Sequence, residues 1–240
     1  MPVAEQLLLN LRPRPDARLT DFAAPAYEQL LAAARECLAT SGGLLYIHGD
    51  QGQGRSHFMS ALCGEAERQG LAAVLLPLAE LSFESSALLA GLEGQDLLAL
   101  DDVEAIAGDR TWEEALFHLF NRARGTGCRM VFSAARPPGQ CGFQLPDLVS
   151  RLALAPCWAL ALPDDVSRQA LLETAASRRD LLLEPELVRY ILARGPREPG
   201  RLLSMLAELD RQSLVAGRRL TIPLVREVLG NLCVTERGAP

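Results

Sequence analysis

The 240-residue sequence contains no lysine, so all 24 of its basic side chains are arginines, which we attribute to genome composition rather than to function. It has no apolar run of about 18 residues, so we expect no membrane-spanning helix. The N-terminus shows no basic stretch followed by an apolar core and a small-residue cleavage site. We therefore expect a cytoplasmic protein that is not secreted.

The cysteines and histidines form no metal or disulfide pattern. There is no C-x-x-C pair, and zinc or disulfide frameworks need paired or closer spacing. We expect reduced cytosolic thiols at all six positions. The cysteines are Cys37, Cys63, Cys128, Cys141, Cys157 and Cys233.

The chain also lacks the basic excess typical of dedicated DNA-binding proteins, since its formal net charge is −6. We expect any contact with DNA to be weak or indirect. A hydrophobic content of 49% with 22% charged residues is ordinary for a globular domain.

Short apolar runs alternate with helical patterns through the first two thirds of the chain. This alternation predicts an α/β fold, a parallel five-stranded sheet flanked by helices. The predicted strands are Leu44–His48, Ala72–Leu76, Leu97–Leu100, Arg129–Ser133 and Cys157–Leu162. The predicted helices among them are Pro25–Thr40, Arg55–Arg68 and Thr111–Arg124.

After Pro163 the pattern becomes helical only, so we predict three parts: a tail over residues 1–16, an α/β domain over 17–162 and an all-helical domain over 163–240. Pro13 and Pro15 break the tail, which we expect to be extended. The predicted C-terminal helices are Asp165–Ser177, Pro185–Leu192, Arg201–Val215 and Ile222–Leu229.

A glycine-rich run, Gly49–Ser56, fits the phosphate-loop pattern G-x-x-x-x-G-K-S/T except that Arg55 replaces the lysine. Glycines let successive N–H groups converge on phosphates, and the following helix points its positive end at the same anion. A purely structural turn is the alternative, but the placement between an apolar strand and a helix favours nucleotide binding. The predicted nucleotide contacts are Gly49, Gly52, Gln53, Gly54, Arg55, Ser56 and His57. We expect His57 to be an ordinary residue of the following helix rather than a catalytic one.

Arg55 keeps the positive charge of the missing lysine, but its guanidinium is planar and broader. We expect nucleotide binding to survive and the positioning of a γ-phosphate for hydrolysis to suffer. Ser56 would place its hydroxyl on Mg²⁺.

A second acidic element, Asp101-Asp102, ends the apolar strand that begins at Leu97. In phosphate-loop proteins we expect this pair on the strand neighbouring the loop. Asp101 would then hold Mg²⁺ through waters, and Asp102 could polarise an attacking water. Acids that merely cap a helix are the alternative, which the order and spacing of the two motifs disfavour.

These motifs and several further runs resemble the DnaA-type branch of AAA+ proteins, and within it the Hda group that inactivates the initiator DnaA. The resemblance covers nearly the whole chain. The matching runs are Asp101–Gly108, Trp112–Phe117, Phe120–Arg122, Arg136–Pro138, Leu145–Leu152 and Leu220–Pro223.

The resemblance implies a nucleotide-binding regulator that holds ADP, or ATP, with Mg²⁺. It also implies two partners, DnaA and the DNA polymerase III sliding clamp, together with possible self-association. The clamp would be bound as an extended peptide by Gln6, Leu7, Leu9 and Leu11. We further expect that the DNA-reading domain of DnaA is missing after the helical lid.

Arg151 resembles the arginine finger that AAA+ proteins present to a nucleotide held by a neighbouring subunit. An ordinary surface arginine in a salt bridge is the alternative. Two positions depart from the family pattern: Ala135 stands where an acidic sensor-1 residue is common, and Gly200 stands at the sensor-2 arginine. Arg201, or alternatively Arg197, could serve as sensor 2.

The combination of Arg55, Ala135 and Gly200 predicts weak intrinsic ATPase activity in a chain that stimulates hydrolysis of DnaA-bound ATP. An initiator-like or helicase-loading AAA+ ATPase, with Asp102 active, is the second hypothesis. A small-molecule kinase is a third, disfavoured because no acceptor-substrate motif is visible.

Overall fold

The computed structural model describes residues 17–22, 24–160, 162–216 and 220–235, which group into two compact units. The sheet unit comprises residues 17–19, Glu28–Gln51 and Arg55–Leu160. The helical unit comprises Thr20–Tyr27, Gly52–Gly54 and the chain after Leu160. The predicted clamp peptide, with Gln6, Leu7, Leu9 and Leu11, lies outside the described residues.

The sheet unit is built on five parallel strands in the order β2-β3-β4-β1-β5, which confirms the predicted fold class. The apolar runs form strands because both sheet faces are covered, and all five residues of β3 are buried. The strands are β1 Leu44–His48, β2 Ala73–Pro77, β3 Leu97–Asp101, β4 Arg129–Ala134 and β5 Cys157–Ala159.

Two strand expectations need correction. The last strand is shorter than Cys157–Leu162 because, at the edge of the sheet, it pairs with β1 only over Tyr46–His48. The prediction that the acidic strand neighbours the strand of the phosphate loop is also wrong. Strand β4 lies between β1 and β3 and pairs with both.

The described residues of the sheet unit form five α-helices, the longest of which is α4, Arg110–Thr126. The Asp109 carboxylate caps the first turn by accepting two backbone N–H groups, and Gly127 adopts a left-handed φ of 77°. The apolar face of α4 is buried and includes Trp112, Leu116, Leu119 and Phe120. The helices are α1 Glu28–Ala39, α2 Arg55–Arg68, α3 Leu78–Leu81, α4 Arg110–Thr126 and α5 Pro146–Leu152.

The helix predicted to start at Pro25 begins as a 3₁₀ turn, Pro25–Tyr27, before the α-helical residues from Glu28 onward. Proline fits the first turn because its missing N–H has no partner there in any case.

The described residues of the helical unit form four further α-helices. Arg168 is buried and ties two of them together, since its guanidinium pairs with Asp165 and donates to the carbonyls of Leu192 and Pro196. In the same unit Arg178 pairs with the buried Asp21. The helices are α6 Asp165–Ser177, α7 Pro185–Arg194, α8 Pro199–Ala216 and α9 Ile222–Thr235. Among the helices of the described ranges, none combines the length and apolar character needed to cross a bilayer.

Candidate functional site

The acidic end of β3 is organised by a serine on the neighbouring strand. Asp101 is 3% exposed, and the buried Ser133 hydroxyl on β4 donates a hydrogen bond to its Oδ1. The same Ser133 Oγ accepts the backbone N–H of Asp102 at 3.0 Å. Because β4 lies between β3 and β1, Ser133 links the Asp101 carboxylate and the Asp102 backbone to the strand that pairs with β1. The sequence motifs did not predict this contact of Ser133.

Asp102 has a left-handed backbone conformation, with φ 54° and ψ 52°, that few residues other than glycine, Asn and Asp adopt. Its carboxylate meets the guanidinium of Arg55, with 2.7 Å between Arg55 Nη2 and Asp102 Oδ1. Non-glycine residues held in this conformation are found often at functional sites. The ion pair with Arg55 brings together three of the predicted site residues, Arg55, Asp101 and Asp102.

Glu104 completes this cluster and was not among the predicted site residues. Its Oε1 lies 3.2 Å from Arg55 Nη1 and accepts the backbone N–H of Ala135 at 2.7 Å. Its Oε2 is buried and has no hydrogen-bond partner among the described residues. The available signal was a third carboxylate in the run Asp101–Glu104, two positions beyond the acidic pair.

The Arg55 side chain is only 11% exposed, so in this structure its charge is directed at two carboxylates of its own chain. Charge-assisted hydrogen bonds of this kind are roughly twice as strong as neutral ones. Any phosphate group that engages Arg55 must compete with Asp102 and Glu104. Asp102, in turn, is occupied by a cation rather than free to polarise a water.

The pKa of Asp102 is raised to about 6 by burial of the carboxyl group and by the nearby charge of Asp101, with Arg55 opposing the rise. An acid whose pKa is higher in the folded state than in the unfolded state binds an extra proton on folding. Asp102 therefore reduces stability above pH 6, and this penalty is relieved as pH falls from 6 toward the unfolded value near 4.

We expect Asp102→Asn to flatten this pH dependence. Between pH 7 and pH 5 the native chain should gain about 1 kcal/mol of unfolding free energy relative to the variant. Urea unfolding of both chains at the two pH values measures the difference. Equal pH slopes for the two proteins would show that Asp102 does not titrate in this range.

The phosphate-loop segment contains two glycines with positive φ, Gly52 at 86° and Gly54 at 100°. Only glycine adopts such angles without strain, which explains the glycine spacing of the motif. In the sheet unit, the Gly49 N–H donates to the Ala134 carbonyl at 3.1 Å. Among the remaining predicted contacts, Ser56 is exposed whereas Gln53 and His57 are buried.

Within the helical unit, Gly200 at the start of α8 packs directly on the loop glycines. A β-carbon on Gly200 would lie 3.0 Å from Gly54 Cα and 3.1 Å from the Gly52 carbonyl oxygen. An arginine at position 200 would displace this backbone. Arg201 lies beside the loop instead, since its Cδ is 3.4 Å from the position that a β-carbon on Gly52 would occupy. Arg197 is exposed.

Arg151 is exposed near the end of α5, in which Leu148 and Leu152 are buried. Its guanidinium carbon lies 6.0 Å from the centre of the Phe117 ring on α4, within the range of a cation–π contact. Over the described part of the chain, no carboxylate lies within salt-bridge distance of Arg151. The ordinary surface ion pair considered from the sequence is therefore not what the structure shows.

The parallel sheet, the glycine loop between β1 and α2 and the carboxylates after β3 define a phosphate-loop protein of the AAA+ class. Residues 22–155 match the family model of the bacterial DnaA ATPase domain, and residues 164–229 match that of the Hda lid domain. The first match alone covers more than half of the chain. The chain belongs to the DnaA ATPase-domain family, with a lid of the Hda type, as the sequence motifs predicted.

Solved structures of DnaA share the fold. Domain III of the Thermotoga maritima initiator DnaA superposes with a TM-score of 0.75 at 22% identity, covering 91% of this chain and 97% of that one. AMPPCP-bound DnaA from Aquifex aeolicus gives 0.68 at 20% identity, covering 83% of this chain and 66% of that one. The T. maritima RuvB branch-migration motor gives 0.59 at 16% identity, covering 85% and 67%.

Proposed function

We propose that the protein regulates replication initiation by stimulating hydrolysis of ATP bound to DnaA. In this proposal it holds a nucleotide, ADP, and attaches to the sliding clamp through Gln6, Leu7, Leu9 and Leu11. It then presents Arg151 to the ATP site of DnaA. Water attacks the γ-phosphorus, the bond to the β-γ bridging oxygen breaks, and ADP and phosphate are released.

The observation that carries this proposal is the state of Arg151. The guanidinium is exposed, rests on an aromatic ring and forms no ion pair within the described ranges. A cation held in place but left unneutralised by its own chain is suited to charge that develops on a partner's transferring phosphoryl group. An arginine supplied in trans accelerates such reactions by about 10³–10⁵.

The ion pairs of Arg55 support a nucleotide-holding rather than hydrolytic role for this chain. Asp102, the candidate for activating water, is paired with Arg55, and Ala135 offers no polar side chain at the sensor-1 position. Both observations favour weak intrinsic ATPase activity, because the Asp102 carboxylate is engaged by a cation rather than free to orient water. Bound ADP is then a stable ligand that supports the fold.

The donors available for Mg²⁺ fit that ion in type. The Ser56 hydroxyl and the Asp101 carboxylate are hard oxygen ligands, and Mg²⁺ is usually held by one or two carboxylates together with substrate phosphates and waters. Among the described residues, no group of three or more His, Cys, Asp or Glu side chains could hold a metal ion. Mg²⁺ would therefore enter with the nucleotide and help neutralise its phosphates.

The experiment that tests the proposal is a single-turnover assay of ATP prebound to DnaA, with the clamp loaded on DNA. Adding the native chain should convert the bound ATP to ADP at least about 10³-fold faster than DnaA alone. An unchanged rate over a range of native-chain concentrations would reject the proposed function.

The clamp contact is tested separately by Gln6→Ala. An amide that anchors an extended peptide in a groove loses its hydrogen bonds on truncation, so we expect clamp affinity to fall by about tenfold or more. Surface plasmon resonance on immobilised clamp measures this, with Asn10→Ala in the same segment as the matched control. Equal affinities for the Gln6→Ala and native chains would exclude this residue as the anchor.

The alternative function is an initiator-like or helicase-loading ATPase, and the retained Asp101-Asp102 pair favours it. On that hypothesis the isolated chain turns over ATP rapidly and loses this activity in Asp102→Asn. On the proposal made here, turnover by the isolated chain is slow and nearly insensitive to Asp102→Asn.

A further inference from the structure

A fully buried carboxylate, Glu113 on α4, accepts hydrogen bonds from three backbone N–H groups. Its Oε1 accepts the N–H of Gly108 at 2.7 Å and that of Gln144 at 3.1 Å. Its Oε2 accepts Gln144 at 2.9 Å and Leu145 at 2.7 Å. A buried charge is costly unless it is compensated in this way, so the arrangement fixes both backbone segments in place.

One of these segments leads directly into the arginine-finger helix. Leu145 is the residue before α5, and its carbonyl accepts the N–H groups of Leu148 and Val149 at 3.1 and 3.3 Å. Glu113 therefore holds the residue from which the first turn of α5 is built. The helix is only seven residues long, so a shift at its start reaches Arg151 almost undiminished.

The other end of α5 is also supported by α4. Phe117, whose ring lies under the Arg151 guanidinium, follows Glu113 by four residues, which places both side chains on the same face of α4. One face of one helix thus contacts the residue that precedes α5 and the arginine near its end.

We propose that Glu113 is the positioning residue of the arginine finger. Its carboxylate fixes the start of α5 and thereby the point at which Arg151 meets a nucleotide held by DnaA. This inference rests on the proposed function, because it needs Arg151 to act on that nucleotide. Glu113 does not itself touch the reacting phosphate.

The conservative variant Glu113→Gln isolates this role because it keeps the size of the side chain. One carboxylate oxygen becomes an amide NH₂ group, which would face N–H donors that it cannot accept. The backbone at Gln144 and Leu145 then loses part of its anchorage without a cavity being created. We expect the maximal rate of stimulated hydrolysis to fall by about 10- to 100-fold, because misplacement by about 1 Å has effects of this size.

The test is a titration of the variant against ATP–DnaA on clamp-loaded DNA, with the maximal rate and the half-saturating concentration fitted separately. A positioning role lowers the maximal rate and leaves the half-saturating concentration within about twofold of the native value. A loss of folding would instead lower the thermal midpoint and ADP binding. Glu113→Asp, which keeps the charge but is shorter, provides a second and milder displacement of the same anchor.

Glu114→Gln is the matched control, since this neighbouring carboxylate is half-exposed and, among the described residues, pairs with Arg110 at 2.7 Å. This control should stimulate like the native chain.

Native maximal rates in folded Glu113→Gln and Glu113→Asp would overturn the inference while leaving the proposed function intact. If the native chain fails to stimulate, the proposed function itself fails. Hydrogen exchange at the Gln144 and Leu145 amides still reports on the anchor, and exchange as slow in Glu113→Gln as in the native chain overturns it.

Discussion

Arg151→Ala is expected to remove nearly all stimulation of DnaA-bound ATP hydrolysis, a loss of about 10³-fold or more. The guanidinium is the group that would meet charge on the transferring phosphoryl, and alanine leaves that position without a cation. The measurement is the single-turnover rate of DnaA-bound ATP on clamp-loaded DNA. Thermal stability should be unchanged, because Arg151 is exposed and its contact with Phe117 contributes little.

Two variants sharpen this prediction. Arg110→Ala removes another exposed arginine of the sheet unit, one whose salt-bridge partner among the described residues is Glu114, and should stimulate normally. Arg151→Lys keeps the charge but loses the planar fork, so an intermediate rate is expected. Full stimulation by Arg151→Ala would show that some other group acts on the DnaA nucleotide.

Arg55→Ala is expected to destabilise the nucleotide-free protein by about 2 kcal/mol, which for a chain of this size lowers Tm by roughly 4–8 °C. Arg55 is the cation between Asp102 and Glu104, and its removal leaves both carboxylates, beside Asp101, without a neutralising cation among the described residues. Urea and thermal unfolding at pH 7.5 measure the change. Arg55→Lys, which keeps the charge, should lose less than half as much.

The loss in Arg55→Ala should depend on pH in a defined direction. The pKa of Asp102 already lies near 6 with Arg55 in place, and removing the cation raises it further. In the variant the uncompensated charge of Asp102 is therefore present at the highest pH and is progressively neutralised as the pH falls toward 6 and below. The loss of unfolding free energy in Arg55→Ala, relative to the native chain, should be largest at pH 7.5 and smaller at pH 5. A deficit that grows as pH falls would contradict this account of the cluster.

Local sequence pattern predicted the fold because each apolar run has the length and flanks of a buried strand. The run Leu97–Asp101 is a clear case, since all five of its residues are buried in β3. Strand order is different, because it depends on how distant segments pair. The expectation that the acidic strand neighbours β1 failed for this reason, and with it the contact of Ser133 with Asp101 was missed.

The candidate site was only partly predictable for the same reason. Positions 52 and 54 have positive φ angles that require glycine, so the glycine spacing of the motif is visible in the sequence itself. Glu104 and Glu113 act through groups about 30 or more residues away, at Ala135 and Leu145. A glutamate in a helical pattern normally indicates a solvated face, so nothing in the sequence separates the buried Glu113 from the half-exposed Glu114.

The role that the sequence motif predicts for Arg55 differs from the contacts that its side chain makes in the structure. In the motif it stands in for a lysine that meets phosphate, and in the structure it neutralises the acids after β3. This arrangement supports a chain that holds nucleotide while the chemistry proceeds on a partner.

The most direct test of that claim follows two nucleotides at once. DnaA is loaded with ATP carrying one radiolabel and this protein with ATP carrying another, and both are combined on clamp-loaded DNA under single-turnover conditions. The account predicts that the DnaA label is converted to ADP at the stimulated rate, while the label on this chain is converted far more slowly. Rapid conversion of this chain's own label, with the DnaA label unchanged, would contradict it.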